Sequence, residues 1–572
     1  MLSFGWHFFI VVNSLINSIL LRRENQNEMK IILVFIFSVI GSVVNSQHVE
    51  SPKLVIGIVV DQMCYEYLYR YYDKYGEDGF KRLMSKGTNC RNTNYNYIPT
   101  YTGPGHASIY TGTTPNNHGI VANDWYDRST RSEINCVTDS MVNTVGSSSI
   151  NGKFSPVNLK ANTITDQLKL TYPKAKVVSM SIKNRGAILP GGHLSDGSYW
   201  FDYESGSFIT STFFKESLPN WVKNFNAIKY PDACFEKTWD TYYPIEDYTE
   251  SGPDDRPYEH LLGAKTSPTF PYDLGAISGG NPNYGIFTST PFANTYLTNL
   301  AIQSIDFEGL GKDEQTDMLC ISYSTPDIAG HAFGPYSVEI EDMYIRLDLE
   351  IARLIDRLEE KVGKNEFTLF LTADHAVVPV PQYLMDNNLP GGYFFVMENM
   401  KNLRERVLNK YGIQLIDAMD NLNVYLDHDS IELAKLNLNE VTDFVAMEIQ
   451  KWEGVKRVFT SEQLYNAGID DQWMDMVRKG YHHSESGDVI FILEPGYLAK
   501  TMDSESARKG TSHGSAYNYD THVPLLWYGK NVPSQEVFRN VEITDIAATL
   551  SHILYIQNPN SLTGTPILEI LK

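Results

Sequence analysis

The 572-residue chain predicts a three-layer α/β fold, in which a central, mostly parallel sheet carries helices on both faces and is extended by cap insertions. Three observations lead there. Continuous apolar runs of strand length recur along the chain, as in strands covered on both faces. Two of them flank a helical segment with apolar residues every three or four positions, which reads as a βαβ unit. Acidic and histidine residues follow several runs directly, and open α/β sheets bind ligands beyond the carboxyl ends of their strands.

In order, residues 1–46 read as an N-terminal extension and secretory signal. Met29-Lys30 precede the apolar stretch Ile31 to Val44 and the small-residue end Val44-Asn45-Ser46, which predicts a mature start near Gln47 and Met29 as the true initiator. The upstream apolar stretch Phe8 to Leu21, followed by Arg22-Arg23, competes as a membrane anchor, but Asn13, Asn17 and Ser18 break it. The mature protein is expected to be exported, without stable membrane insertion. The strand-like runs are Leu54 to Val60, Lys176 to Met180, Leu319 to Tyr323, Phe367 to Thr372, Val489 to Leu493 and Val523 to Tyr528. Ile340, Tyr344, Leu347, Ile351, Leu354 and Leu358 mark the helix between the third and fourth. A last helix opens near Ile543, with Thr544 or Asp545 as its cap. The core is expected over 47–206, 263–378 and 481–572, with cap insertions at 207–262 and 379–480.

A hydrophobic fraction of 42% with 12% aromatics supplies a large core, and no repeat or low-complexity stretch interrupts it. The net charge of −22 disfavours nucleic acid as a partner, since phosphate-backbone binding relies on Lys and Arg. Local cations can still hold a small phosphate. Five cysteines lack any CxxC pattern and predict no zinc ribbon; in an exported protein they allow one or two disulfides.

Asp61 ends the first run, where a carboxylate projects from the sheet rim; alone, it could equally cap a helix. Asp327 and His331 are four residues apart, a spacing that brings both to one ion from a helical turn. Asp374-His375 form an adjacent pair at a strand end, and His513 sits on a Ser-His-Gly loop. Three Asp and three His suit zinc, which takes nitrogen and oxygen ligands, and the expectation is two Zn²⁺ ions. Thr102, in a Pro/Gly-punctuated loop before a helix-like stretch, supplies a hydroxyl that a metal can activate; its plain alternative is a capping threonine. His106 and His118 are expected to hold their turns together, and His482-His483 to lie at the surface or behind the site.

With these blocks in hand, the chain resembles the alkaline phosphatase superfamily, most closely its PafA-type branch of exported phosphate-monoesterases. The resemblance runs from about Lys53 to the C-terminus. It is carried by Val60-Asp61-Gln62-Met63, the stretch from Pro99 to Gly112, Ala122-Asn123-Asp124-Trp125, Ser181 to Ala187, and the Asp327/His331, Asp374-His375 and His513 blocks. It implies that Asp61, Thr102, Asp374 and His375 hold the zinc beside the nucleophile, and that Asp327, His331 and His513 hold a second zinc near the leaving oxygen. Asn123, Lys183 and Arg185 would bind the non-bridging phosphate oxygens. The implied reaction is hydrolysis of small phosphate monoesters through a phosphothreonine. Separately from the resemblance, the chain is expected to be a monomer. A phosphodiesterase or nucleotide pyrophosphatase of the same superfamily is the nearest rival, although that branch typically lacks a counterpart to Lys183-x-Arg185. A sulfatase would need Cys or Ser in a C/S-x-P-x-R setting where this chain has Thr102-Gly103-Pro104-Gly105. An inactive exported zinc protein is a further alternative, disfavoured by the full ligand set.

Overall fold

In a computed structural model describing residues 50–466 and 471–571, the core is a ten-stranded sheet. The expected secretory signal lies outside the described residues. The all-apolar Leu54–Val60 strand, buried throughout, sits at the middle of the sheet. It pairs in parallel with Asp317–Tyr323 on one side and Phe367–Thr372 on the other. Val177–Ser181 and Gly197–Asp202 continue the parallel run, antiparallel pairings flank it on both sides, and at one edge Gln535–Val537 pairs in parallel with Thr88–Cys90. This confirms the mostly parallel α/β sheet.

Register decides where the site forms. Val59 is level with Thr372, Val60 with Tyr323, and Ser322 with Ser181. Continuing each strand past its end puts residues 61, 374, 324 and 183 side by side on one rim. Asp327 follows from the helix Thr325–Phe333, which springs from that rim. The next helix, Val338–Lys361, buries all six residues of the expected apolar stripe. Each large apolar side chain removed from water contributes roughly 1.5–3 kcal/mol. Ser337 caps this helix by accepting the Ile340 amide at 3.3 Å.

Three expectations are corrected. Val489–Leu493 lies in a separate four-stranded sheet with Ile416–Asp420, Asn423–Leu426 and Val455–Thr460, rather than in the main sheet. Val489, Phe491 and Leu493 pack into one apolar cluster, whereas Ile490 and Ile492 pack into another. A strand of a small sheet covered on both faces therefore reads like a central parallel strand. Second, Ser207–Ser211, expected to open an insertion, pairs with Gly197–Asp202 inside the main sheet. Third, the run from Val523 to Tyr528 is split at Pro524, which has no amide hydrogen to donate to a ladder. Leu525–Gly529 joins the main sheet and His522–Val523 a three-stranded one.

All five cysteines are buried and unpaired, so the disulfides the sequence allowed are not formed. At the C-terminal helix Asp545–Leu554, Thr544 makes no side-chain cap; Asp545 instead accepts the amides of Glu542 and Thr565. Among the described residues, no helix is long and apolar enough to cross a membrane.

Candidate active site

Thr102 is the first residue of the helix Thr102–Thr111 and is buried, so the helix starts at the hydroxyl rather than after it. Its Oγ1 lies 3.5 Å from His375 Nε2 and 3.5 Å from Lys183 Nζ. Gly105 lets this helix approach: a Cβ there would stand 2.3 Å from the carbonyl oxygen of Asp374.

The six expected ligand residues converge. Ligand atoms of Asp327, His331 and His513 lie within 4.8 Å of one another, and so do those of Asp61, Asp327 and His375. Asp327 thus faces both groups. Its Oδ1 is 3.2 Å from His331 Nε2 and 3.6 Å from His513 Nε2. Asp374 Oδ2 lies 3.7 Å, and Asp61 Oδ1 3.4 Å, from His375 Nε2. Among the described residues these are the only two metal-capable groups, and His482 and His483 belong to neither.

Two features of these side chains fit a cation. Asp61 Oδ1 and Asp374 Oδ2 are buried without a hydrogen-bond donor, a costly state for a carboxylate unless a positive charge supplies the missing interaction. All three histidines face backbone carbonyls through Nδ1: His331 to Thr511 at 2.9 Å, His375 to Ala376 at 3.0 Å, and His513 to Thr100 at 2.7 Å. A carbonyl only accepts, so the neutral ring carries its proton on Nδ1 and turns the Nε2 lone pair toward the carboxylates.

The electrostatics show the same excess of negative charge. Burial pushes the Asp374 carboxyl well above the usual range, and the Asp61 charge adds to this. Burial also opposes the charge on Asp61, and Asp327 repels it, but Lys183 and His375 bring it down to about 2. Burial lowers His375, yet Asp374 and Asp61 raise it to about 9. Burial opposes the Asp327 charge too, but His331 and Lys183 hold it well below the ordinary value. Lys183 ties the two groups together, its Nζ 2.7 Å from Asp61 Oδ2 and also bonded to Asp327 Oδ2.

The other expected residues lie along the helix that Thr102 opens or on segments packed against it. Gly103 donates its amide to Asn123 Oδ1 at 2.7 Å, which fixes the carboxamide and leaves Nδ2 as a donor. Arg185 lies one residue into the helix Asn184–Gly191, its Nε buried without an acceptor. His106, expected to hold its turn, is fully buried and bridges the Thr102 carbonyl and Ser322 Oγ, each at 2.8 Å. His118 accepts the Ile120 amide on Nδ1, so its Nε2 donates to Ser108 Oγ at 3.0 Å.

One residue escaped the sequence reading of roles. Gln62 donates its amide to Asp374 Oδ1 at 3.2 Å and its Nε2 to Asp327 Oδ1 at 2.7 Å. Its only signal in the sequence is its place after Asp61, which no periodicity marks.

The type I phosphodiesterase / nucleotide pyrophosphatase family matches residues 55–516. The chain belongs to that family. Within it, the chain is 41% identical to alkaline phosphatase PafA of Elizabethkingia meningoseptica, over 91% of this chain and 95% of that one. It is 40% identical to a Myroides odoratus protein named calcium-transporting ATPase, over 93% of this chain and 97% of that one. The crystal structure of wild-type PafA superposes with a TM-score of 0.88 at 40% identity, covering 92% of this chain and all of that chain.

Proposed function

We propose that this chain is a phosphate-monoester hydrolase of the alkaline phosphatase kind that works through a phosphothreonine at Thr102. The observation that carries the mechanism is the buried Thr102 hydroxyl at a helix start, 3.5 Å from both His375 Nε2 and Lys183 Nζ and beside donor-poor carboxylates.

Asp61, Thr102, Asp374 and His375 would hold one zinc ion, and Asp327, His331 and His513 a second. The two ions would supply Lewis-acid stabilisation of negative charge at the attacking and departing oxygens. The residues of the chain do the rest. Thr102 Oγ1 gives up its proton to solvent and forms a bond to phosphorus as the ester P–O bond breaks, and the departing alkoxide takes a proton back from solvent and leaves as the alcohol. A water molecule then attacks the phosphothreonine, which releases inorganic phosphate and restores the Thr102 hydroxyl. Asn123 Nδ2, Lys183 and Arg185 bind the non-bridging oxygens. Two cations suit a monoester dianion better than the single charge of a diester, which favours monoesterase over phosphodiesterase activity.

The second insertion is read as a cap over the leaving group. A cavity of about 550 Å³ has Tyr101 and His513 on its core side and Tyr425 and Trp473 on the other, consistent with small, varied phosphate monoesters. Export rests on the apolar stretch Ile31 to Val44 behind Lys30, and the chain is taken to act as a monomer. Acid quenching during turnover of a ³²P-labelled monoester, followed by peptide mapping, tests the intermediate. Label on Thr102 is expected. Steady turnover with no label on the protein would mean direct attack by water.

A further inference from the structure

Gln62 stands in an unusual place. It follows Asp61 at the end of the central strand, is buried, and has φ of 70°, in the left-handed region that residues other than glycine seldom occupy. Such strain persists only where surrounding interactions impose it. Here those interactions are known: the backbone amide bonds Asp374 and the side-chain amide bonds Asp327. The carboxamide also fills space that only a glycine opposite leaves free, since a Cβ on Gly330 would lie 1.9 Å from Gln62 Oε1.

We propose that Gln62 is a positioning residue that sets the relative orientation of the two ligand groups, its amide N–H aiming Asp374 and its carboxamide aiming Asp327. The inference rests on the zinc assignment above. Each carboxylate has one oxygen engaged by Gln62, which fixes the rotation of the other. Asp374 Oδ2 stays free of donors, and Asp327 Oδ2 turns toward Lys183. Donors behind metal ligands act in this way, and losing one commonly costs 10–100-fold in metal affinity. The two bonds are separable, because substitution of the side chain leaves the amide bond to Asp374 in place.

The experiment is chelator competition on purified protein, with bound zinc counted as free zinc is lowered. Wild type should retain two equivalents. Gln62→Met, which keeps length and removes the donor, should release one equivalent at about 10–100-fold higher free zinc and leave the other unchanged. Gln62→Gly should do the same, while relief of the positive φ keeps the melting temperature of its apoprotein at or above that of wild type. Gly330→Ala should reproduce the defect by displacing the carboxamide. Curves for both Gln62 variants that superimpose on wild type would overturn the inference, as would equal weakening of both equivalents. A wild-type protein that binds no zinc would instead sink the zinc assignment, and this inference with it.

Discussion

The imidazoles of His375 and His513 are stacked, with ring centroids 3.4 Å apart and planes 12° from parallel. One histidine of each ligand group therefore packs against the other, and Asp327 lies close to both. The two groups form one buried cluster with a shared wall, although each has its own backbone anchors at Ala376 and Thr100.

His513→Ala should impair the group made with Asp327 and His331 most. These residues would hold the ion that stabilises charge on the departing oxygen, and a poor leaving group develops more of that charge. The loss in kcat/KM should be about tenfold or more greater for an alkyl phosphate than for a nitrophenyl phosphate. Equal losses across a leaving-group series would contradict this assignment of the two groups.

Thr102→Ala should lower kcat/KM by roughly a thousandfold or more, about 4 kcal/mol of transition-state stabilisation. Zinc content should stay near that of wild type, because the carboxylates and imidazoles remain. Near-native turnover would remove Thr102 from the chemistry.

The convergence of the expected ligand residues was legible in the sequence because several of them follow parallel strands whose apolar runs are plain, and register alone brings Asp61, Asp374 and Lys183 to one rim. The Asp327/His331 pair was legible for a different reason, its helical spacing. What escaped depends on contacts distant in sequence. Val489–Leu493 is apolar throughout because its two faces meet different clusters, which a run of letters cannot distinguish from a central strand. Gln62 acquires its role only when residues 265 and 312 positions away fold against it. The tilt of the Asn123 carboxamide likewise depends on the Gly103 amide, which the helix start at Thr102 orients.

A pH dependence of stability should arise away from the site. Glu339, fully buried at the start of the long helix, accepts a hydrogen bond from Tyr272 while its Oε2 has no partner. Burial pushes its pKa up to about 8 from an ordinary 4.5. Above about pH 4.5 the unfolded chain releases this proton while the folded protein keeps it, so this residue makes stability fall as pH rises toward 8. Glu339→Gln, which needs no proton, should therefore raise the melting temperature relative to wild type more at pH 9 than at pH 5. A pH-independent difference would show that Glu339 does not titrate in this way.

The central claim is that Lys183, beside the Thr102 hydroxyl, and Arg185 serve a phosphate monoester. Lys183 and Arg185 should each contribute on the order of 2 kcal/mol toward the dianion, or roughly tenfold or more per residue, and less toward a diester with one free charge fewer. The most direct measurement is kcat/KM for a matched nitrophenyl monoester and methyl nitrophenyl diester, on wild type and on Lys183→Ala/Arg185→Ala, with zinc quantified in each sample. Wild type should favour the monoester by orders of magnitude, and the double variant should lose most of that preference. A wild type that prefers the diester, or a variant that loses both activities equally at full zinc content, would contradict the account.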